Sequence, residues 1–376
     1  MRQMENRFDL IRIRTESGHE GWSAAPSMGK ERAGLGALLG PYFLGERADD
    51  IQSVRQRIRE MGYLGWKAGW LEPACWDIIG KAAGKPVYEL MGGKVHDRLR
   101  SYTYLYPDEG DVYPDPDLPN VYSDPDLAAE VAVRRVEEGF TAVKFDPAGP
   151  YTVYDGHQPR LEDLDRSERF VKTIRAAVGT RADLLFGTHG QFTVSGAKRL
   201  ARRLEPYEPL WFEEPVPPEN PADMAEVARF TSVPISTGER LCTKHEFARV
   251  LETGAASILQ MDLGRVGGLL EAKKIASMAE TRQAQIAPHL YCGPVVAAAN
   301  IQISTCSPNF LILESIGRFE GAYMSCLKST ISWEEGYVIP PTEPGLGVEL
   351  DDEVIAANPY TGSELHLAMA HEPVVQ

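Results

Sequence analysis

The chain has 376 residues, 43% apolar and 9% aromatic, enough to bury one large α/β core and a smaller one. Its 39 basic and 54 acidic residues leave a net charge of −15 with no run of Lys and Arg, so nucleic acid is not an expected partner. A body this negative repels small anions, and an anionic substrate would need a metal ion or a few placed cations to draw it in.

The five cysteines (Cys75, Cys242, Cys292, Cys306 and Cys326) are odd in number, far apart and without a CxxC pair. They read as reduced thiols of a cytoplasmic protein. The start of the chain lacks an apolar core of signal-peptide length, and no window reaches about 18 apolar residues without a charge, so no membrane is expected.

In chain order, residues 8–14 alternate as a strand, closed by a turn at Ser17-Gly18, and a second extended segment follows over residues 20–23. Helical periodicity runs through DIQSVRQRIREMG and EPACWDIIGKAAG, with Gly62 and Gly84 as stops. Residues 1–100 therefore predict an α+β capping domain. From residue 101 the rhythm changes to short apolar runs alternating with amphipathic helices. Eight strand candidates follow: SYTYLY, TAVKFD, ADLLFGTH, LWFEEP, PISTGE, SILQMD, QIAPHL and FLILES, with seven helices between them. That count predicts a TIM-type (β/α) barrel over residues 101–328. The Pro- and Asp-rich segment 107–125 and the segment PAGPYTVYDGHQPR leave the first two strand ends as loops, where barrels build active sites. The turn-rich remainder, 329–376, is expected to pack back on the cap.

Glu213, Glu239, Asp262, His289 and Glu314 end five successive strands at spacings of 26, 23, 27 and 25 residues, about one βα unit each. In a barrel these positions converge on one mouth. Any single carboxylate at a strand end could simply cap the next helix, but five in register are harder to read that way. Facing buried carboxylates repel and must be paired, protonated or bound to a cation, and for hard oxygen ligands Mg2+ is the natural ion.

At WFEEP, STGER, ILQMDLGRVGG and IAPH, with ACWDIIGKAAGKPVYELMGG in the cap, the chain resembles the mandelate racemase and galactonate dehydratase branch of the enolase superfamily. The resemblance implies proton abstraction α to a carboxylate, with the resulting charge held by Mg2+. His289 is then the general base and Asp262 the group that fixes its tautomer. Glu213 and Glu239 would hold the ion, Glu314 would hydrogen-bond the substrate carboxylate, and His189 in GTHGQ would protonate the departing 3-hydroxyl. It also implies a homo-oligomer.

Two positions depart from that pattern. The family's first ligand, an aspartate, falls at Gly187, and its Lys-x-Lys at the end of strand two reads Lys144-Phe145-Asp146 here. Asp146 or His189 is expected to complete the ion site; the rivals are two glutamates with water, or loss of both ion and activity. Lys144 would polarise the substrate carboxylate, serve as a second acid or base, or form a salt bridge. Arg240 would bind a substrate carboxylate or pair with a strand-end acid. Trp22, assigned to a short loop of the cap, is a candidate lid contact.

The leading expectation is a Mg2+-dependent dehydratase turning an aldonic or aldaric acid into a 2-keto-3-deoxy acid. A cycloisomerase, racemase or epimerase using Lys144 opposite His289, and a barrel that binds a sugar acid without turning it over, are the alternatives.

Overall fold

The opening alternation pairs as a hairpin, β1 (Phe8–Arg14) against β2 (Glu20–Pro26), turned where Gly18 adopts a φ of 87°. In this computed structural model the described residues are 8–26, 34–63, 68–106, 120–147, 156–291, 293–321 and 324–359. Three helices complete the cap: α1 (Leu35–Phe43), α2 (Ile51–Tyr63) and α3 (Glu72–Ala83). Helix α3 stops at Gly84 in the left-handed conformation, whereas α2 runs through Gly62 to Tyr63, so that glycine is no stop. Helix α1 is not evident in the sequence, because LGALLGPYF is apolar nearly throughout and contains Pro41, which blurs any 3.6-residue stripe. The second strand is also three residues longer than its sequence suggests.

After the short helix α4 (Val87–Leu90), eight parallel strands form the barrel. They are β3 (Leu99–Tyr104), β4 (Ala142–Phe145), β5 (Asp183–Phe186), β6 (Trp211–Glu213), β7 (Ile235–Thr237), β8 (Ile258–Leu259), β9 (Gln285–Ile286) and β10 (Leu313–Ser315). Pairing of β10 with β3 and a bridge between Ile286 and Phe310 close the ring. The connecting helices are α5 (Pro125–Glu137), α6 (Leu161–Val178), α7 (Val194–Leu204), α8 (Pro221–Ala228), α9 (Lys244–Thr253), α10 (Leu269–Glu280) and α11 (Pro294–Thr305). All eight expected strands and seven expected helices are present, an α+β cap on a (β/α) barrel.

The tail does two things. Its hairpin β11 (Trp333–Glu334) and β12 (Tyr337–Val338) adds antiparallel to the start of β3, a contact with the barrel rather than the cap. Farther on it reaches the cap: Leu346 N–H donates to Asp77 Oδ1 at 2.9 Å and Val87 N–H to the Gly345 carbonyl at 3.0 Å, ahead of a last helix, α12 (Asp352–Ala357). Most of the two loops expected after β3 and β4 falls on 107–119 and 148–155, outside the described residues, as does Cys292. Among the described residues no helix is long and apolar enough to cross a membrane.

One layer of the barrel interior explains the placement of the polar groups. Ala142, Leu185, Trp211, Ile258, Ala287 and Ile312 plug the barrel in one buried cluster. Successive side chains of a strand alternate between faces, so the residue two further on points inward one layer higher. Those residues are Lys144, Gly187, Glu213, Gln260, His289 and Glu314; another two residues on come Asp146, His189 and Asp262.

Candidate active site

Strand β7 reaches the same mouth by a different device. Ile235 packs outward, and parity alone would turn Glu239 outward as well. Gly238, at a φ of 142°, breaks the alternation just past the strand end. An added Cβ there would lie 2.8 Å from Phe247 Cε1 and 2.9 Å from the Gln260 backbone, so only glycine fits.

Four pairings define the mouth. His289 Nδ1 lies 2.8 Å from Asp262 Oδ2, whose other oxygen accepts from Gly264 N–H at 2.7 Å. His189 Nδ1 lies 3.1 Å from Asp146 Oδ2. Lys144 Nζ donates to Glu213 Oε1 at 2.7 Å and stands 3.8 Å from Glu314 Oε1. Arg265 Nη1 reaches Glu239 Oε1 at 3.3 Å. The two imidazoles face each other across one atom: Nε2 of His289 is 3.5 Å and Nε2 of His189 3.6 Å from Glu239 Oε2. Two Asp–His dyads thus converge on one carboxylate.

The charges follow from these contacts. Burial disfavours the imidazolium of His189, but the Glu239 charge and the Asp146 hydrogen bond outweigh it and raise its pKa to about 9. His289 is raised likewise, burial being overcome by Glu239 and by the bond to Asp262. Burial works against a charge on Glu239, yet His289, His189, Arg265 and Lys144 hold it well below the usual carboxylate range. Lys144 is buried, and Glu213 and Glu314 keep it cationic above the ordinary lysine range.

His189, Glu213 and Glu239 offer donor atoms that all lie within 4.8 Å of one another, and this set fits a divalent cation. Asp146 does not belong to it. The expectation that Asp146 is a ligand gives way to a carboxylate standing behind the His189 ring. Trp22 is placed differently from the expected loop: it sits in strand β2, its backbone N–H donating to Asp77 Oδ2 at 3.1 Å and its ring 5.0 Å from the Arg12 guanidinium. Arg240 takes the second of its two expected roles, pairing with Glu214 through Nε at 2.9 Å and Nη2 at 2.8 Å. Lys144 also forms a salt bridge, one of the roles open to it.

Sequence reasoning passed over four residues. Gln260 Nε2 donates to Glu213 Oε2 at 2.7 Å and Trp211 Nε1 to the same oxygen at 3.2 Å. Glu214 takes a left-handed φ of 37°, locked by Arg240 and by Thr237 Oγ1 at 3.1 Å. Arg265 is a cation at the rim. Inward parity from Asp262 would have found Gln260; nothing local marks Arg265 in its Gly-rich turn.

The fold and the site together define a class. The enolase C-terminal domain-like family matches residues 126–354, and the mandelate racemase / muconate lactonizing enzyme N-terminal domain matches residues 2–92. The chain belongs to the enolase superfamily, in its galactonate dehydratase-like branch of hydro-lyases. Among curated relatives, it is 34% identical over 364 residues to a D-galactonate dehydratase of Ralstonia nicotianae, covering 93% of this chain and 90% of that one. It is 32% identical over 368 residues to a D-xylonate dehydratase of Haloferax volcanii, covering 95% and 86%. A solved structure of the mandelate racemase/muconate lactonizing enzyme type from Labrenzia alexandrii superposes with a TM-score of 0.90 at 62% identity, covering 96% of this chain and 93% of that one.

Proposed function

We propose that this chain dehydrates an aldonic or aldaric acid, removing the proton α to the carboxylate and the β hydroxyl to give a 2-keto-3-deoxy acid. The observation that carries this reading is the convergence of two carboxylate-held imidazoles on Glu239 Oε2, at 3.5 and 3.6 Å. With Nδ1–H donating to Asp262, the neutral His289 ring presents the Nε2 lone pair inward as a base. The dehydratase names of the curated relatives support the same reaction class.

Glu213 and Glu239 would hold a divalent cation, which when bound would neutralise the charge growing on the substrate carboxylate as the α proton leaves. Arg265, a quarter exposed at the rim, is the cation placed to attract an acid despite the protein's negative charge. The hydroxyl leaves with a proton from one of the two imidazoles. Lys144 speaks against a two-base racemase, because an ammonium locked between Glu213 and Glu314 does not give up its proton to become a base.

The test is a library of aldonic and aldaric acids offered with a divalent cation, scoring 2-keto-3-deoxy products by semicarbazide absorbance. At least one acid should react, and His289→Asn should abolish the signal. If no acid reacts while wild type and His289→Asn bind one equally, the catalytic reading fails. Deuterium exchange at C2 without a keto product would assign racemase or epimerase chemistry instead.

A further inference from the structure

Of the three side chains whose donor atoms lie within 4.8 Å of one another at the mouth, His189 offers a nitrogen rather than an oxygen, and the reason lies on the neighbouring strands. At Gly187, where the family's aspartate would stand, an added Cβ would lie 3.1 Å from Lys144 Cε, 3.3 Å from the Phe145 carbonyl oxygen and 3.6 Å from Asp146 Cβ. The Lys144 stem fills that space because its ammonium is committed to Glu213, so a carboxylate at 187 would meet it. The next inward-facing residue of the same strand end is His189. Its Nδ1 is held by Asp146 at 3.1 Å, and its Nε2 points toward Glu239 Oε2 at 3.6 Å. A carboxylate behind an imidazole whose far nitrogen faces two glutamates is the arrangement that orients a histidine toward a metal ion.

We propose that His189 Nε2 is the third ligand of the cation site with Glu213 and Glu239, and that the site therefore favours Mn2+, Co2+ or Zn2+ over Mg2+. Mg2+ binds through anionic oxygens and gains little from an imidazole, whereas the later first-row ions gain from a nitrogen donor. Relative to three carboxylates, the site also has one negative charge fewer to hold Mg2+.

A chemical consequence follows, which rests on the dehydratase reading. With Nε2 on the ion, the one proton of the His189 ring lies on Nδ1, turned away from the substrate and held by Asp146, so His189 cannot protonate the leaving hydroxyl. The α proton then passes to His289 Nε2, the Cα–H electrons become the second bond of a Cα=Cβ double bond, and the Cβ–O bond breaks with its electron pair. The hydroxide takes the proton back from His289 and leaves as water, and the enol becomes the 2-keto acid. Both events use one face of the substrate, so the elimination is syn.

The ligand assignment is tested without turnover. Pulsed electron-spin-echo spectra of Mn2+ bound to the ion-stripped protein are expected to show a directly coordinated nitrogen. Calorimetric titration with Mn2+ and Mg2+ should show the preference for Mn2+ falling about tenfold or more in His189→Asp. Absence of nitrogen coupling in the wild type overturns the proposal, as does an unchanged Mn2+/Mg2+ ratio in His189→Asp. Should that variant not fold, the wild-type spectrum decides alone. Nitrogen coupling in a protein that turns over no acid sugar would uphold the ligand and overturn the dehydratase reading.

Discussion

Replacing Lys144 by methionine tests whether the mouth is held together by charge. Lys144 Nζ is 2.7 Å from Glu213 Oε1 and 3.8 Å from Glu314 Oε1, with side-chain exposures of 3%, 3% and 6%. Methionine keeps most of the volume and removes the ammonium, leaving two buried carboxylates without their shared cation. Breaking a buried pair in this one-sided way costs about 3–5 kcal/mol. Glu213 Oε2 keeps its bonds from Gln260 and Trp211, which confines the loss to Oε1 and places the expected cost near ~3 kcal/mol. Urea unfolding of ion-stripped Lys144→Met, Glu213→Gln and the double variant measures it. The double variant should be less destabilised than the sum of the singles by about 2 kcal/mol or more, since neither partner is then stranded. A cost for Lys144→Met below about 1 kcal/mol, the level of an exposed pair, would refute the buried-pair argument.

Three further outcomes follow from particular contacts. Asp262→Asn keeps a hydrogen-bonding group beside His289 but removes the charge that fixes its tautomer, so kcat should fall about 10²–10⁴-fold with little change in Tm. A loss under about threefold would remove Asp262 from the base. Glu72, fully buried in the cap, has its pKa raised to about 7 by burial, against the N–H groups of Leu270 and Leu269 and the Trp76 indole that favour its charged form. A raised folded pKa contributes stability that is complete below the unfolded value near 4.5 and is lost as pH rises through about 7, a total of roughly 3 kcal/mol. Denaturation midpoints from pH 4.5 to 8 should show that decline in the wild type and not in Glu72→Gln, and parallel curves would disprove it. Gly238→Ala meets both a φ of 142° and contacts of 2.8–2.9 Å, and should cost at least ~2 kcal/mol in urea unfolding while weakening Mn2+ binding through Glu239. Wild-type stability in this variant would show that the loop after β7 gives way easily.

The sequence by itself determined the barrel, because period-2 and period-3.6 patterns are local. It also placed Glu213, Glu239, Asp262, His289 and Glu314 at one mouth, since a group at the end of each strand needs only the βα repeat to converge. Pairing within the mouth is another matter. Lys144 and Glu213 are 69 residues apart and His189 and Asp146 are 43, and which carboxylate meets which cation depends on ring closure and on the direction of each side chain. Parity failed at Glu239 because one left-handed glycine reverses it. The apolar helix α1 and the last three residues of β2 were missed because burial, not periodicity, decides a uniformly apolar or short segment. Gly187 was visible as a missing ligand, but only the tertiary structure supplied the reason. The Lys144 stem occupies the space a side chain at 187 would need, and His189 stands in the next position that faces the site.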